Sequence, residues 1–310
     1  MTREPKLRLV AAALLLALAA GSACSFRRFA VNRIADAVAG SGDTYASDDD
    51  PDLVRDALPF ALKLTESLLA ESPEHVGLLT SAASGFTQYA YAFVQQDADE
   101  ADDTDFELGN RLHDRARKLY LRARGYAMRG LGVRHPGMGE ALLAGGARAD
   151  EALAGAETQD VELLYWAASS WALAISLAKD DPEMLAGLGA VDRIIHRALA
   201  LDADWGAGSL HEFMIVFEGS RSAAMGGSLE RARGHFERAV ALSGGLRASP
   251  YVTYAEVVSV RNQDRGEFVS LLKKALAVDP GARPGWRLSN LIMQRRARWL
   301  LGREDRLFAD

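Results

Sequence analysis

Twenty consecutive residues, Gly77 to Gln96, carry no charge (GLLTSAASGFTQYAYAFVQQ). A chain that sets such a stretch among charged neighbours must bury it or shelter it. The stretch holds too much Ser, Thr and Gln to span a bilayer, which takes about 18–20 predominantly apolar residues. Leu79, Ala82, Phe86, Tyr89, Ala90 and Phe93 recur at i, i+3, i+4, i+7 spacing, the stripe of a helix with one apolar face. The opposite side carries Ser81, Ser84, Gln88, Tyr91 and Gln95, all neutral and able to hydrogen-bond. A helix without charged positions is either buried on all sides or lines a sheltered cavity.

A second stretch has the same character. Leu163 to Ala178 (LLYWAASSWALAISLA) stands between Glu162 and Lys179 with no charge inside it. Leu164, Trp171 and Ile175 share one side, and Trp166, Leu173 and Leu177 lie nearly opposite. Tyr165, Ser169 and Ser176 form a narrow polar strip. A helix apolar on two opposite sides is sandwiched between other elements, so the two stretches together form the expected centre of the fold. Two readings stay open. Aromatic and Ala positions at helical spacing are ordinary core, whereas aromatic walls with a few neutral polar groups are the usual lining of a small-molecule site. On the second reading the candidate ligand contacts are Phe86, Gln88, Tyr89, Tyr91, Tyr165, Trp166 and Trp171. Gln88, Tyr91 and Tyr165 are polar handles that a plain core would not need.

The N-terminus is read separately. Arg3, Lys6 and Arg8 precede an apolar run from Leu9 to Ala20 and then Gly21-Ser22-Ala23-Cys24. A positive start, a short apolar run and a small-residue cleavage site predict a secretory signal peptide over residues 1–23. Cys24 is the only cysteine of the 310 residues, which excludes an intrachain disulfide and a Cys-based metal cluster. Its position resembles a bacterial lipobox, with Gly21 where a Leu or similar residue is usual. Lipidation of Cys24 would tether the protein without spanning the membrane. Ordinary cleavage after Ala23 would leave a free thiol. Ser25 after the cysteine resembles lipoproteins sent to the outer membrane. Removing residues 1–23 deepens the net charge from -6 to -8, which does not fit nucleic-acid binding and its basic footprint.

The rest reads as an all-α chain of about twelve helices in which no strand-type alternation occurs. Residues 24–44 form an anchored segment and linker, and 45–310 a helical-repeat domain. Asp50-Pro51, Ser72-Pro73, Asp181-Pro182 and Ser249-Pro250 read as helix starts, a capping side chain followed by a proline whose missing N–H costs nothing there. Ala232, Phe236, Ala239 and Gly244 match the second-helix half of a tetratricopeptide repeat, and Phe268, Leu272, Ala275 and Pro280 match again. Val191, Ile195, Ala198 and Ala203 give a looser copy, as do Ala61, Thr65, Leu68 and Pro73. Small residues at these offsets let paired helices press close while the large one fills the gap to the next pair. Unequal spacing predicts degenerate repeats packed into a compact body.

No catalytic motif stands out. His211-Glu212 suggests a zinc protease, but Ile215 occupies the place of the second histidine, and a structural polar contact is the better expectation for the pair. Nothing implies a cofactor or a metal site. Asp97, Asp99, Glu100, Asp102, Asp103 and Asp105 form an acidic run without EF-hand spacing, expected to be a solvated connection. Arg295, Arg296 and Arg298 with Trp299 give the last long helix a basic face. That face either caps the final repeat or meets a partner protein or lipid headgroups, with Arg295, Arg298 and Trp299 as candidate contacts.

Six blocks together resemble a known family: YASDDDPDLVRDALPFALKL (Tyr45 to Leu64), FTQYAYAFVQQ (Phe86 to Gln96), LLYWAASSWALAISLAKDDPE (Leu163 to Glu183), LHEF (Leu210 to Phe213), GGSLERARGHFERAVALSGG (Gly226 to Gly245) and QRRARWLL (Gln294 to Leu301). The chain is similar to the TatT component, a lipoprotein associated with tripartite ATP-independent periplasmic (TRAP) transporters. The resemblance implies concealed tetratricopeptide-like pairs, a lipid anchor on the periplasmic side and a homotrimer that docks the transporter's solute-binding subunit. It also implies a cleft or pore that passes a small hydrophobic ligand, and no enzyme activity. The alternative is a tetratricopeptide-type outer-membrane assembly or secretion scaffold.

Overall fold

A computed structural model describes residues 42–308, together with Arg33, residues 35–37 and Gly40. The signal-peptide segment 1–23 and Cys24 lie outside the described residues. The chain runs through α1 (Gly42–Ala46), α2 (Pro51–Glu71), α3 (Val76–Tyr89), a π-helical turn (Ala90–Gln95), α4 (Gln96–Ala101) and the long α5 (Phe106–Arg134). Two short helices, α6 (Met138–Ala144) and α7 (Gly146–Ala154), lead to α8 (Val161–Ser176), α9 (Pro182–Ala186) and α10 (Leu188–Leu201). Then come α11 (Trp205–Ser220), α12 (Leu229–Leu242), α13 (Ser249–Tyr254), a second π-helical turn (Ala255–Ser259), α14 (Arg265–Ala277), α15 (Arg287–Leu301) and α16 (Glu304–Leu307). There is no strand among the described residues. Nor is any described helix long and apolar enough to cross a membrane.

Two of the four proline-marked starts behave as expected. Asp50 accepts from the N–H groups of Asp52 and Leu53 at 3.1 and 3.0 Å, and Asp181 from those of Glu183 and Met184 at 2.9 and 3.3 Å. The other two differ because another partner competes. Ser72-Pro73 falls in the turn after α2, and α3 is capped by His75, whose Nδ1 accepts from the Leu78 N–H at 3.2 Å. Ser249 is already the first residue of α13, and its hydroxyl donates to Glu212 Oε2 at 2.8 Å.

Three apolar cores result. One surrounds α8, where Leu131, Leu164, Ile194, Ile195 and Leu210 meet with no exposed surface. A second holds α2, α3 and α5 together through Leu78, Leu79, Phe86 and Tyr120. The third joins α11 to α15 through Val252, Phe268, Leu272 and Ala297. Each fully buried Leu, Ile or Phe contributes about 1.5–3 kcal/mol over its exposed state. Gly130 lets α5 and α8 close up, since a Cβ there would stand 2.8 Å from Leu163 Cδ2. The motif positions Val191, Ile195 and Ala198, Ala232 and Ala239, and Phe268, Leu272 and Ala275 are all buried. They lie on α10, α12 and α14, and α10 packs on α8 and α12 on α11.

The acidic run is not a solvated connection. It begins as α4, and its carboxylates pair across the molecule. Asp97 receives Arg55 (2.6 Å) and Arg295 (3.1 Å), Glu100 receives Arg295 (2.8 Å), and Asp103 receives Arg303 and Arg306 (3.0 and 2.8 Å). Asp105 caps α5 through the Leu108 N–H at 3.0 Å. The partners on α15 and beyond lie about two hundred residues away in sequence, so no local pattern exposes them.

Candidate functional site

Both π-helical turns face one arginine. Such turns insert an extra residue into a helix and recur at functional sites. The first carries Tyr91 and the second Glu256. Between them stands Arg296 of α15, only 7% exposed. Its Nε donates to Glu256 Oε2 at 2.8 Å, a second nitrogen to Glu256 Oε1, and the third to Asp99 Oδ2 at 2.9 Å. Asp99 in turn meets His113 at 3.0 Å. Burial pulls the guanidinium's proton affinity down, but the charges of Glu256 and Asp99 outweigh it and hold the group well above its ordinary value.

The α8 side is built on aromatics and a strained turn. Tyr165 stands edge-on to Trp166 (4.8 Å between centroids) and tilts against Trp205 (4.9 Å). Trp205 is aimed by three successive left-handed residues, Gly206 (φ 62), Ala207 (φ 51) and Gly208 (φ 99). Ala207 takes this conformation at a cost of about 1–2 kcal/mol. Gly208 is required, since a Cβ there would lie 3.0 Å from the Cα of Ala239. Arg247 clasps the turn, donating to the Gly206 carbonyl at 3.1 Å and Ser209 Oγ at 3.0 Å. It lies 3.6 Å from Glu212, which also accepts from Ser249. Local strain of this kind clusters at binding and catalytic sites.

The two sides share Glu212. Burial pushes the Tyr91 hydroxyl up to about 12, with Arg296 pulling it down and Glu256 and Glu212 pushing it further. Burial, then Glu212, pushes the Tyr165 hydroxyl up to about 12, against Arg247. Yet both residues are only half-buried. The Ser169 hydroxyl beside Tyr165 pulls the other way, and neither tyrosine hydroxyl is among the sealed, partnerless atoms. Ser169 Oγ, one turn along α8 from Tyr165, and Trp166 Nε1 are buried without partners. Half-buried tyrosines beside orphaned donors are unlike close-packed core, where polar groups find partners.

The other residues singled out from sequence spread over the molecule. Phe86 is core, stacked on Tyr126 at 5.9 Å. Gln88 is exposed. Tyr89 is buried but helps line a separate surface pocket of about 240 Å³ with Phe93, Arg55, Pro59 and Arg115. Trp171 is 5% exposed, with Arg124 over its face at 4.8 Å. Of the basic face, Arg295 turns to Asp97 and Glu100, while Arg298 stays exposed. Trp299 is half-buried under Arg303 (4.5 Å) and Arg296 (5.3 Å). His211 and Glu212 do make structural contacts: His211 Nδ1 lies 2.8 Å from His235 Nδ1.

Sequence reasoning missed Trp205, Arg247 and Glu256 as members of this region. Gly206-Ala207-Gly208 is a legible signal for an unusual turn, whereas a π-helical turn leaves no mark in AYAFVQ or AEVVS.

Comparison with known proteins agrees with the fold and the blocks. A curated protein of Treponema pallidum (strain Nichols), described as an uncharacterized protein, is 30% identical over 302 residues, covering 93% of this chain and 94% of its own length. The family model described as the TRAP transporter T-component matches residues 47–308, which takes in every element of this site. The chain therefore belongs to the TRAP transporter T-component family, and its role is that of an accessory component of such a transporter.

Proposed function

We propose that the protein is a lipid-anchored periplasmic component that scaffolds the transporter's solute-binding subunit and holds a small hydrophobic ligand in a cleft between α3, α8 and α11. The ligand reading is carried by half-buried Tyr91 and Tyr165, set in uncharged helical stretches, beside a Trp166 Nε1 that finds no partner. A cleft with aromatic walls and a few polar groups accounts for them, and solid packing does not. In this reading Cys24 carries the anchor, on the periplasmic side of the outer membrane, and the molecule works as a homotrimer. The outer face of α15, with Arg298, Trp299 and the edge of Arg295, meets the solute-binding subunit.

Affinity capture from envelope extracts, followed by native mass spectrometry, tests this. The expected result is the solute-binding protein as chief partner, a trimeric mass and a small molecule carried through purification. Recovery chiefly of barrel-assembly or secretin components would sink the transporter scaffold and favour an outer-membrane assembly role.

A further inference from the structure

The pocket of about 240 Å³ beside Tyr89 lies between α2 and α5, on a floor made by the end of α3 and the π-helical turn that follows it. Four full charges line it, and two of them are spent on each other. Both terminal nitrogens of Arg55 donate to Asp97, at 2.6 and 3.1 Å, and its Nε is sealed from solvent. Asp97 also accepts from Arg295 at 3.1 Å. The other two charges are left over. Arg115, on the α5 wall, is exposed, and its guanidinium makes one long hydrogen bond, 3.4 Å to the Tyr89 hydroxyl. Asp56, on the α2 wall, is exposed and makes no hydrogen bond or ion pair among the described residues.

The rest of the lining is apolar. Phe93 and Val94 of the π-helical turn both reach the pocket, and half-buried Pro59 and Leu112 stand on its two walls. A lone anion entering here would meet Asp56, and a lone cation would meet Arg115, so each would carry a like-charge penalty. A molecule with one charge of each sign satisfies both walls. The volume is below the about 300–1,000 Å³ of drug-sized clefts, which sets the scale near a single amino acid. We infer that this pocket binds a zwitterionic α-amino acid with an apolar side chain. Its carboxylate accepts from Arg115, its ammonium donates to Asp56, and its side chain enters between Pro59, Phe93 and Leu112. The site is separate from the cleft proposed above and does not depend on it.

The test titrates the full protein at neutral pH, by calorimetry, with L-leucine and three analogues. These are 4-methylpentanoate, which lacks the ammonium, leucinamide, which lacks the carboxylate, and glycine, which lacks the side chain. Leucine should bind at least about tenfold more tightly than each analogue, the effect of one charged hydrogen bond or one buried aliphatic group. Arg115→Gln and Asp56→Asn should each weaken leucine at least about fivefold and, both positions being exposed, leave the thermal midpoint unchanged. Arg115→Gln should not weaken leucinamide, nor Asp56→Asn 4-methylpentanoate. An analogue that binds as tightly as leucine, leucine affinity untouched by either variant, or no leucine binding at millimolar concentration overturns the inference. Each of these results leaves the ligand-holding cleft near Tyr165 standing.

Discussion

The uncharged helices and the acidic run are opposites in composition, and each misleads in its own way. Gly77–Gln96 and Leu163–Ala178 advertise a buried centre. They deliver it through Leu79, Phe86, Leu164 and Ile175, yet between them stand half-buried tyrosines and an exposed Gln88. Asp97–Asp105 advertises solvent, and instead supplies the ion-paired seam that ties α2 and α4 to α15. Local composition reports what a segment could tolerate, while its partners decide what it does. A neutral face can be wet because nothing covers it. A charged one can be dry because a guanidinium does.

The largest effect should come from breaking the seam at its most enclosed point. Arg296→Met strands Glu256 and leaves Asp99 with His113 alone, and removing one side of a buried pair costs about 3–5 kcal/mol. Urea denaturation should show that loss, and adding Glu256→Gln should recover part of it. A loss below about 1 kcal/mol would mean the seam is ordinary surface salt and the contrast with the neutral centre is false.

How much of this was legible follows from the range of the interactions. The helical class, the caps at Asp50 and Asp181 and the buried stripes of α8, α10 and α14 depend on neighbours a few residues away, and sequence spacing carries them. The seam, the Arg247 clasp and the Glu212–Ser249 bond join residues 37 to 203 positions apart. Single-chain periodicity has no term for such pairs. Ser249 is the instructive case. Its position before Pro250 reads as a cap, but Ser249 is already the first helical residue, and its hydroxyl donates to Glu212 on α11 instead.

Within the neutral centre, packing should matter more than polarity. Gly187→Ala would put a Cβ 2.4 Å from Trp171 Nε1 and 2.7 Å from Cε2. Overpacking of this kind costs about 1–3 kcal/mol, readable as a lower denaturation midpoint. An unchanged midpoint would mean that the Trp171 ring has room to move aside.

The histidine pair on α11 and α12 is a neutral contact made of titratable groups, and pH separates it from both regions. Burial, then His211, lowers His235 from 6.5 to about 4, and burial also lowers His211. The folded state thus binds fewer protons than the unfolded one between these values. Stability should be full above about pH 6.5 and fall as pH drops toward 4. Asp204, Arg238, Glu218 and Arg231 also face the pair, so the check is a difference. The double variant His211→Gln, His235→Gln should show a flatter urea midpoint against pH than the parent over that window. Parallel curves would remove the pair from the account.

The smallest effect on folding should come one residue turn from the largest. Arg298 shares α15 with Arg296, but it is exposed and its side chain makes no hydrogen bond or ion pair among the described residues. Arg298→Ala should therefore change stability by less than about 0.5 kcal/mol, the usual range for free surface positions. If the outer face of α15 meets the solute-binding subunit, the same change should weaken that complex measurably in calorimetry and lower its sensitivity to salt, as loss of a rim charge does. Two arginines two positions apart would then divide the helix cleanly, one face closing the molecule and the other open to a partner. Arg298→Ala that leaves both binding and salt dependence untouched would move the docking surface off α15.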